Sequence, residues 1–97
     1  MRLEFSPAAE TDVTEIASFI ARDNVPRAIS FVDELQSACE ALLDFPQLGT
    51  ARHDIREGLR SRPHGSYVIF YEVQPTTVRI QRILHGARDI GGILSVS

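Results

Sequence analysis

A chain of 97 residues with 43% hydrophobic and 24% charged side chains has the composition of one ordinary globular domain, residues 1–97. No apolar run nears the roughly 20 residues that cross a bilayer, and Met1-Arg2-Leu3-Glu4-Phe5 lacks a signal-peptide pattern; this excludes a membrane span and makes the cytoplasm the expected compartment. Charge is uneven within a net −3: through Ala51 three arginines stand against nine carboxylates (net −6), and from Arg52 onward seven stand against four (net +3), which predicts an acidic first half and a basic second half suited to an acidic peptide or a phosphate backbone.

Arg2-Leu3-Glu4-Phe5 alternates and reads as a short strand, and Ser6-Pro7 then supplies an N-cap followed by proline at the first helical position. Val13, Ile16, Ala17 and Ile20 recur at helical spacing while Glu10, Asp12, Glu15 and Arg22 take the wet side, so one amphipathic helix runs to about Asp23-Asn24. Pro26 restarts the pattern. Ala28, Phe31, Val32, Leu35, Ala38, Cys39 and Leu42 form a second apolar stripe that stops before Pro46, giving an αα-hairpin. Phe45-Pro46-Gln47-Leu48-Gly49 is turn chemistry, and the polar stretch to Gly58 has no period, so a surface loop follows.

The rest reads as sheet. Leu59-Arg60-Ser61-Arg62 is a polar strand, Pro63-His64-Gly65-Ser66 a turn, and Tyr67 to Val73 a strongly β-prone central strand. Gln74-Pro75-Thr76-Thr77 closes a hairpin into Val78 to His85, where Gly86 ends the strand. The order β-α-α-β-β-β predicts an α+β fold: a small antiparallel sheet with the N-terminal helical hairpin packed on one face. The opposite face is then where polar side chains serve a partner.

Arg60 and Arg62 lie two apart on one strand, and Arg79, Gln81 and His85 share a face of the last under strict alternation, so together they predict a basic sheet face. Alternation also puts Arg82 with Val78 and Ile80, whereas a bulge near Gln81 brings Ile83 inward instead; the sequence leaves both open. These arginines read either as clamps for phosphate or carboxylate or as a solvated outer face. His85-Gly86-Ala87-Arg88-Asp89 gathers a proton-transfer group and a cation at a strand end, and equally suits a scaffold in which Arg88 or Asp89 satisfies the turn.

The ten basic side chains are all arginine, which suits bidentate anion recognition and is matched equally by nucleotide bias in a source genome. Cys39 is the lone cysteine, placed in an apolar stripe where it packs rather than reacts. With His53, His64 and His85 it fits no metal-ligand spacing. Nucleophile-elbow, Walker and dinucleotide fingerprints are missing too, so neither metal nor cofactor is expected.

Several segments, in order, resemble one family. Phe5-Ser6-Pro7-Ala8-Ala9-Glu10-Thr11-Asp12-Val13 is similar to its strand, Ser-Pro and acidic-helix opening, and Phe45-Pro46-Gln47-Leu48-Gly49 to its turn after the second helix. Gly58-Leu59-Arg60 with Ser66-Tyr67-Val68-Ile69-Phe70-Tyr71 resembles its hairpin, and Arg82-Ile83-Leu84-His85-Gly86-Ala87-Arg88-Asp89 its ending. From Leu3 to about Ile90 the chain resembles ParE-type toxins of the RelE/ParE superfamily.

The resemblance implies the toxin of a type II toxin-antitoxin system: a DNA gyrase inhibitor that traps DNA breaks, acting on gyrase with or without its DNA, and held in a hetero-oligomer by a ParD-like antitoxin. Arg60, Arg62, Arg79, Arg82, His85 and Arg88 are then partner-binding residues, with no catalytic group. The RelE branch implies the alternative, a ribosome-dependent messenger-RNA endoribonuclease, for which Arg60, Arg82 and His85 are the catalytic candidates. Val68 stands where such ribonucleases carry a catalytic arginine, which argues against that alternative.

Overall fold

A computed structural model describes residues 1–88 and 90–95. Strand β1 (Arg2–Phe5) leads into α1 (Pro7–Ala21) and α2 (Val25–Asp44), followed by β2 (Thr50–Ala51), β3 (Leu59–His64), β4 (Tyr67–Val73), β5 (Thr77–His85) and α3 (Ile90–Ser95). Both long helices start as the sequence predicts. The Ser6 hydroxyl accepts the Ala9 N–H at 3.0 Å and the Asn24 side chain accepts that of Arg27 at 3.0 Å, each satisfying a donor that has no partner inside the first helical turn.

The sheet has five strands in the order β1-β5-β4-β3-β2. The expected α+β architecture holds, with β3, β4 and β5 an antiparallel meander. The sheet is nonetheless mixed, because β1 runs parallel to β5, pairing Arg2 with Thr77 and Phe5 with Ile80. Strand direction across a long helical crossover is set by packing and cannot be read from β1 itself. Pro63 and His64 also belong to β3 rather than to the turn, paired with Val68 and Tyr67. Gly65, at φ 58°, makes the tight connection that remains.

The two faces of the sheet are covered differently. On one, Ile16, Phe31, Leu35, Cys39 and Leu42 of the hairpin pack against Ile69, Tyr71, Val78, Ile80 and Ile83. On the other, Leu59, Phe70 and Leu84 meet Leu94, with Ile55, Ile90 and Ile93 at the margin. The expected open face is therefore partly roofed by α3 and the loop before β3. Those six helical residues carry too little periodicity to be seen ahead of the fold.

Register decides the facing of the last strand. Arg82 pairs with Phe70 while Ile80 pairs with Tyr71, so Gln81 is the extra residue of a β-bulge. Ile83 consequently turns toward the hairpin with Val78 and Ile80, and of the two readings the sequence left open, the bulged one is adopted.

Candidate functional site

The free edge of β5 begins where β1 stops. Ser6 continues the pairing, its N–H donating to Ile80 O at 2.9 Å and its hydroxyl to Gln81 O at 2.7 Å. Asp12 on α1 completes it: the carboxylate, 4% exposed, accepts the Ile83 N–H at 2.9 Å. It also takes both prongs of Arg82, Nε at 2.8 Å and Nη2 at 2.9 Å. Asp12, expected on the wet side of α1, is thus a structural anion. The pair holds the Arg82 guanidinium above its ordinary pKa, chiefly through the hydrogen bond to Asp12.

Arg60 is committed as well. Its Nη2 donates to Gly49 O at 2.7 Å and to Gln47 O at 3.2 Å. The buried Tyr71 hydroxyl donates to Pro46 O and accepts from the Gly49 N–H, each at 2.8 Å. The segment 45–49, with β2 after it, is therefore tied to the sheet by two side chains. Gly49 is required there because a Cβ would lie 2.6 Å from the Tyr71 hydroxyl and 2.7 Å from Ser61 O.

The expected single basic face is not assembled. Arg60 and Arg62 pair with Tyr71 and Ile69, which face the hairpin. Arg79 points the other way, beside Glu72 across the strand pair, and Arg82 follows it because of the bulge. Nor do Arg79 and His85 share a face: the bulge changes parity between them, and His85 sits opposite Tyr67 on the hairpin side. On the α3 side Glu4, Arg79, Glu72 and Arg56 make a row of alternating sign, with Arg79 paired to Glu4 and Arg56 to Glu72 at 2.6 Å. Arg52 pairs with Asp54 at 3.0 Å. The positive half seen in the sequence is largely neutralised in space, partly by carboxylates of the other half.

Arg62 and Arg88 remain exposed cations with no ion pair among the described residues. Arg88 lines a shallow depression with Asp12, Glu15, Phe19, Tyr67 and His85. His85 lies edge-on to Tyr67, ring centroids 5.3 Å apart, and its Nδ1 accepts the Ala87 N–H at 3.1 Å. A neutral His85 so bonded carries its proton on Nε2, so its outward nitrogen is a donor rather than a base. Asp89 lies outside the described residues. The three catalytic candidates do not converge: Arg60 is bound to the 45–49 turn, Arg82 to Asp12, and His85 to its own turn. Sequence reasoning missed Asp12, which holds Arg82, and Tyr71, which with Arg60 holds the 45–49 turn; the signal for Asp12 was an acid inside a helix's first half.

Comparison with known proteins decides the family. A family model described as "ParE toxin of type II toxin-antitoxin system, parDE" matches residues 3–90. The chain belongs to the ParE toxin family. It is 34% identical over 91 residues to Toxin ParE1 of Mycobacterium tuberculosis, covering 92% of this chain and 93% of that protein. To Toxin ParE1 of Caulobacter vibrioides it is 33% identical over 81 residues, 82% and 83% of the two chains. A solved chain of the chromosomal ParDE TA system from P. aeruginosa superposes with a TM-score of 0.76 at 19% identity, covering 88% of this chain and 95% of that one. The last likeness shows a shared fold. Among the described residues no helix is long and apolar enough to cross a membrane.

Proposed function

We propose that this ParE-family chain inhibits DNA gyrase in the cytoplasm without catalysing a reaction of its own, and that a ParD-like antitoxin silences it in a hetero-oligomer. The observation that carries the reading is the dispersal of Arg60, Arg82 and His85. Each is held by a different structural partner, and a ribonuclease needs such groups within reach of one scissile phosphate. Val68 in the place of a catalytic arginine supports the same conclusion. The family match supports the toxin role, and the ParDE system named for the solved neighbour supports an antitoxin partner.

Of the six arginine and histidine candidates, Arg62 and Arg88 are the cations left for an acidic stretch of a partner. Arg60, Arg79 and Arg82 act one step back, by holding the surfaces that a partner meets. The test is a supercoiling assay with purified protein run beside a translating extract. Loss of supercoiling with linear DNA accumulating, and intact message, is the expected result. Cleaved message with gyrase unaffected overturns it.

A further inference from the structure

The depression between α1 and the end of β5 gathers polar atoms that the fold does not use. Ile16 and Ile83 floor it, and Glu15, Phe19, Tyr67, His85 and Arg88 stand around it. Phe19 is 62% exposed. Arg22, 6.0 Å from the centroid of that ring, does not line the depression, which leaves the aromatic surface there open to a flat ligand. Tyr67 lies edge-on to His85 and tilted against Phe31, yet its hydroxyl forms no hydrogen bond among the described residues. The outward Nε2 of a neutral His85 is a donor, because Nδ1 accepts the Ala87 N–H.

The rim carries both signs. Arg88 forms no ion pair among the described residues, and neither does Glu15, whose charge reaches Arg82 only through space. Three donor groups, on Tyr67, His85 and Arg88, and one carboxylate acceptor therefore surround an aromatic and aliphatic floor. At about 160 Å³ the depression is smaller than the roughly 300 Å³ of a complete small-molecule site. It takes one ring system of a longer ligand, whose remainder lies outside.

We infer that this depression seats one unpaired guanine of a single DNA strand, with the base on Phe19, its N1–H and amino group donating to Glu15, and the adjoining phosphate meeting Arg88. An aromatic platform accepts any base. The carboxylate selects among them, since guanine alone presents two adjacent donors on its pairing edge. A duplex is excluded because that edge is already paired within it. An acidic peptide stretch, the other occupant proposed for Arg88, sets carboxylates beside Glu15, where like charges repel. With one phosphate met by one arginine, binding is weak, and its logarithm falls with the logarithm of salt at a slope of about −0.7. Taking the strand as DNA rests on the function proposed above; the choice of base does not.

The probe is a pair of single-stranded DNA trimers that differ only in a guanine or an adenine between two thymines, each titrated into the isotope-labelled full chain at low salt. The guanine trimer is expected to shift the amides of Phe19, Tyr67, His85 and Arg88, and to bind about fivefold or more tighter than the adenine trimer. Glu15→Gln, at an exposed position, is expected to remove that preference. Phe19→Ala is expected to weaken both trimers by about fivefold or more. The guanine trimer in RNA form, inorganic phosphate and an acidic peptide are run beside them. Equal binding of the two DNA trimers, the same shifts from phosphate alone, tighter binding by the RNA or the peptide, or no shift at millimolar trimer overturns the inference. Gyrase is absent from these titrations, so a failed supercoiling assay leaves their result standing, and their failure leaves that assay unaltered.

Discussion

Asp12 on α1 holds Arg82 on β5 by two hydrogen bonds of 2.8 and 2.9 Å while accepting the Ile83 N–H at 2.9 Å, so one buried carboxylate finishes the sheet edge that β1 leaves open. Removing it strands both a backbone donor and a cation that is 26% exposed. Asp12→Ala is expected to lower unfolding free energy by about 3 kcal/mol. Arg82→Met leaves Asp12 its backbone bond and is expected to cost about 1 to 2 kcal/mol. Because the pair raises the Arg82 pKa, its contribution is present throughout the neutral range and lost only as pH rises through that raised value. Urea unfolding at pH 7 with unchanged m-values checks the order. Equal costs for the two variants would remove the edge role of Asp12.

The 45–49 turn depends on Tyr71 as much as on its own residues. Tyr71→Phe removes the hydroxyl that bonds Pro46 O and Gly49 N, with an expected cost of about 1 to 3 kcal/mol. Gly49→Ala introduces a Cβ 2.7 Å from the Ser61 carbonyl, which is backbone and cannot swing aside. It is expected to cost about 1 to 3 kcal/mol, and to stay costly in the Tyr71→Phe background because that carbonyl remains. Thermal unfolding of the two single variants and the double variant measures this. Full rescue of Gly49→Ala by Tyr71→Phe would mean that Ser61 is not a barrier.

What the sequence made legible follows from how locally each feature is encoded. Ser6-Pro7 and Pro26 mark the helix starts, and the apolar stripes of α1 and α2 fix their buried side, because such signals and periodicity act within a few residues; the Asn24 cap of α2 came only with the structure. The direction of β1, the two-residue β2 and the roof formed by α3 depend on contacts far along the chain and were not legible. The site shows the same division. A strand of alternating arginines correctly predicted that Arg60 and Arg62 share a face, but one inserted residue, Gln81, sent Arg79 and His85 to opposite sides. Net charge misled for a related reason: it sums along the chain, whereas Glu4, Asp12 and Glu72 neutralise arginines across the fold.

Arg60 and Arg62, two residues apart, are expected to behave as different kinds of residue. Arg62 is exposed and holds nothing among the described residues, so Arg62→Glu should change stability by no more than about 0.5 kcal/mol. Arg60→Met releases the Gln47 and Gly49 carbonyls and should cost about 1 to 2 kcal/mol. If an acidic antitoxin stretch meets this edge, Arg62→Glu also weakens its binding and flattens the salt dependence. Calorimetric titration at two salt concentrations reads that directly, and unchanged affinity at both takes Arg62 out of the interface.

Cys39 offers a built-in probe of the core. It is fully buried in the middle of α2, and burial, with Glu40 nearby, pushes its thiol up to about 12 from 9.0. A thiol kept neutral in this way is inert, so labelling by a disulfide reagent at pH 8 is expected to proceed at the rate of opening, and to become immediate in denaturant. The sign of the alkaline effect follows. The folded protein holds a proton that the unfolded chain releases above pH 9, so this contribution to stability is whole below that pH. It is lost as pH rises toward 12, by about 1.4 kcal/mol per pH unit. A steeper fall in stability between pH 9 and 11 for the parent than for Cys39→Ala is the expected signature. Rapid labelling of the native protein, insensitive to added urea, would mean that α2 does not seal this face of the sheet.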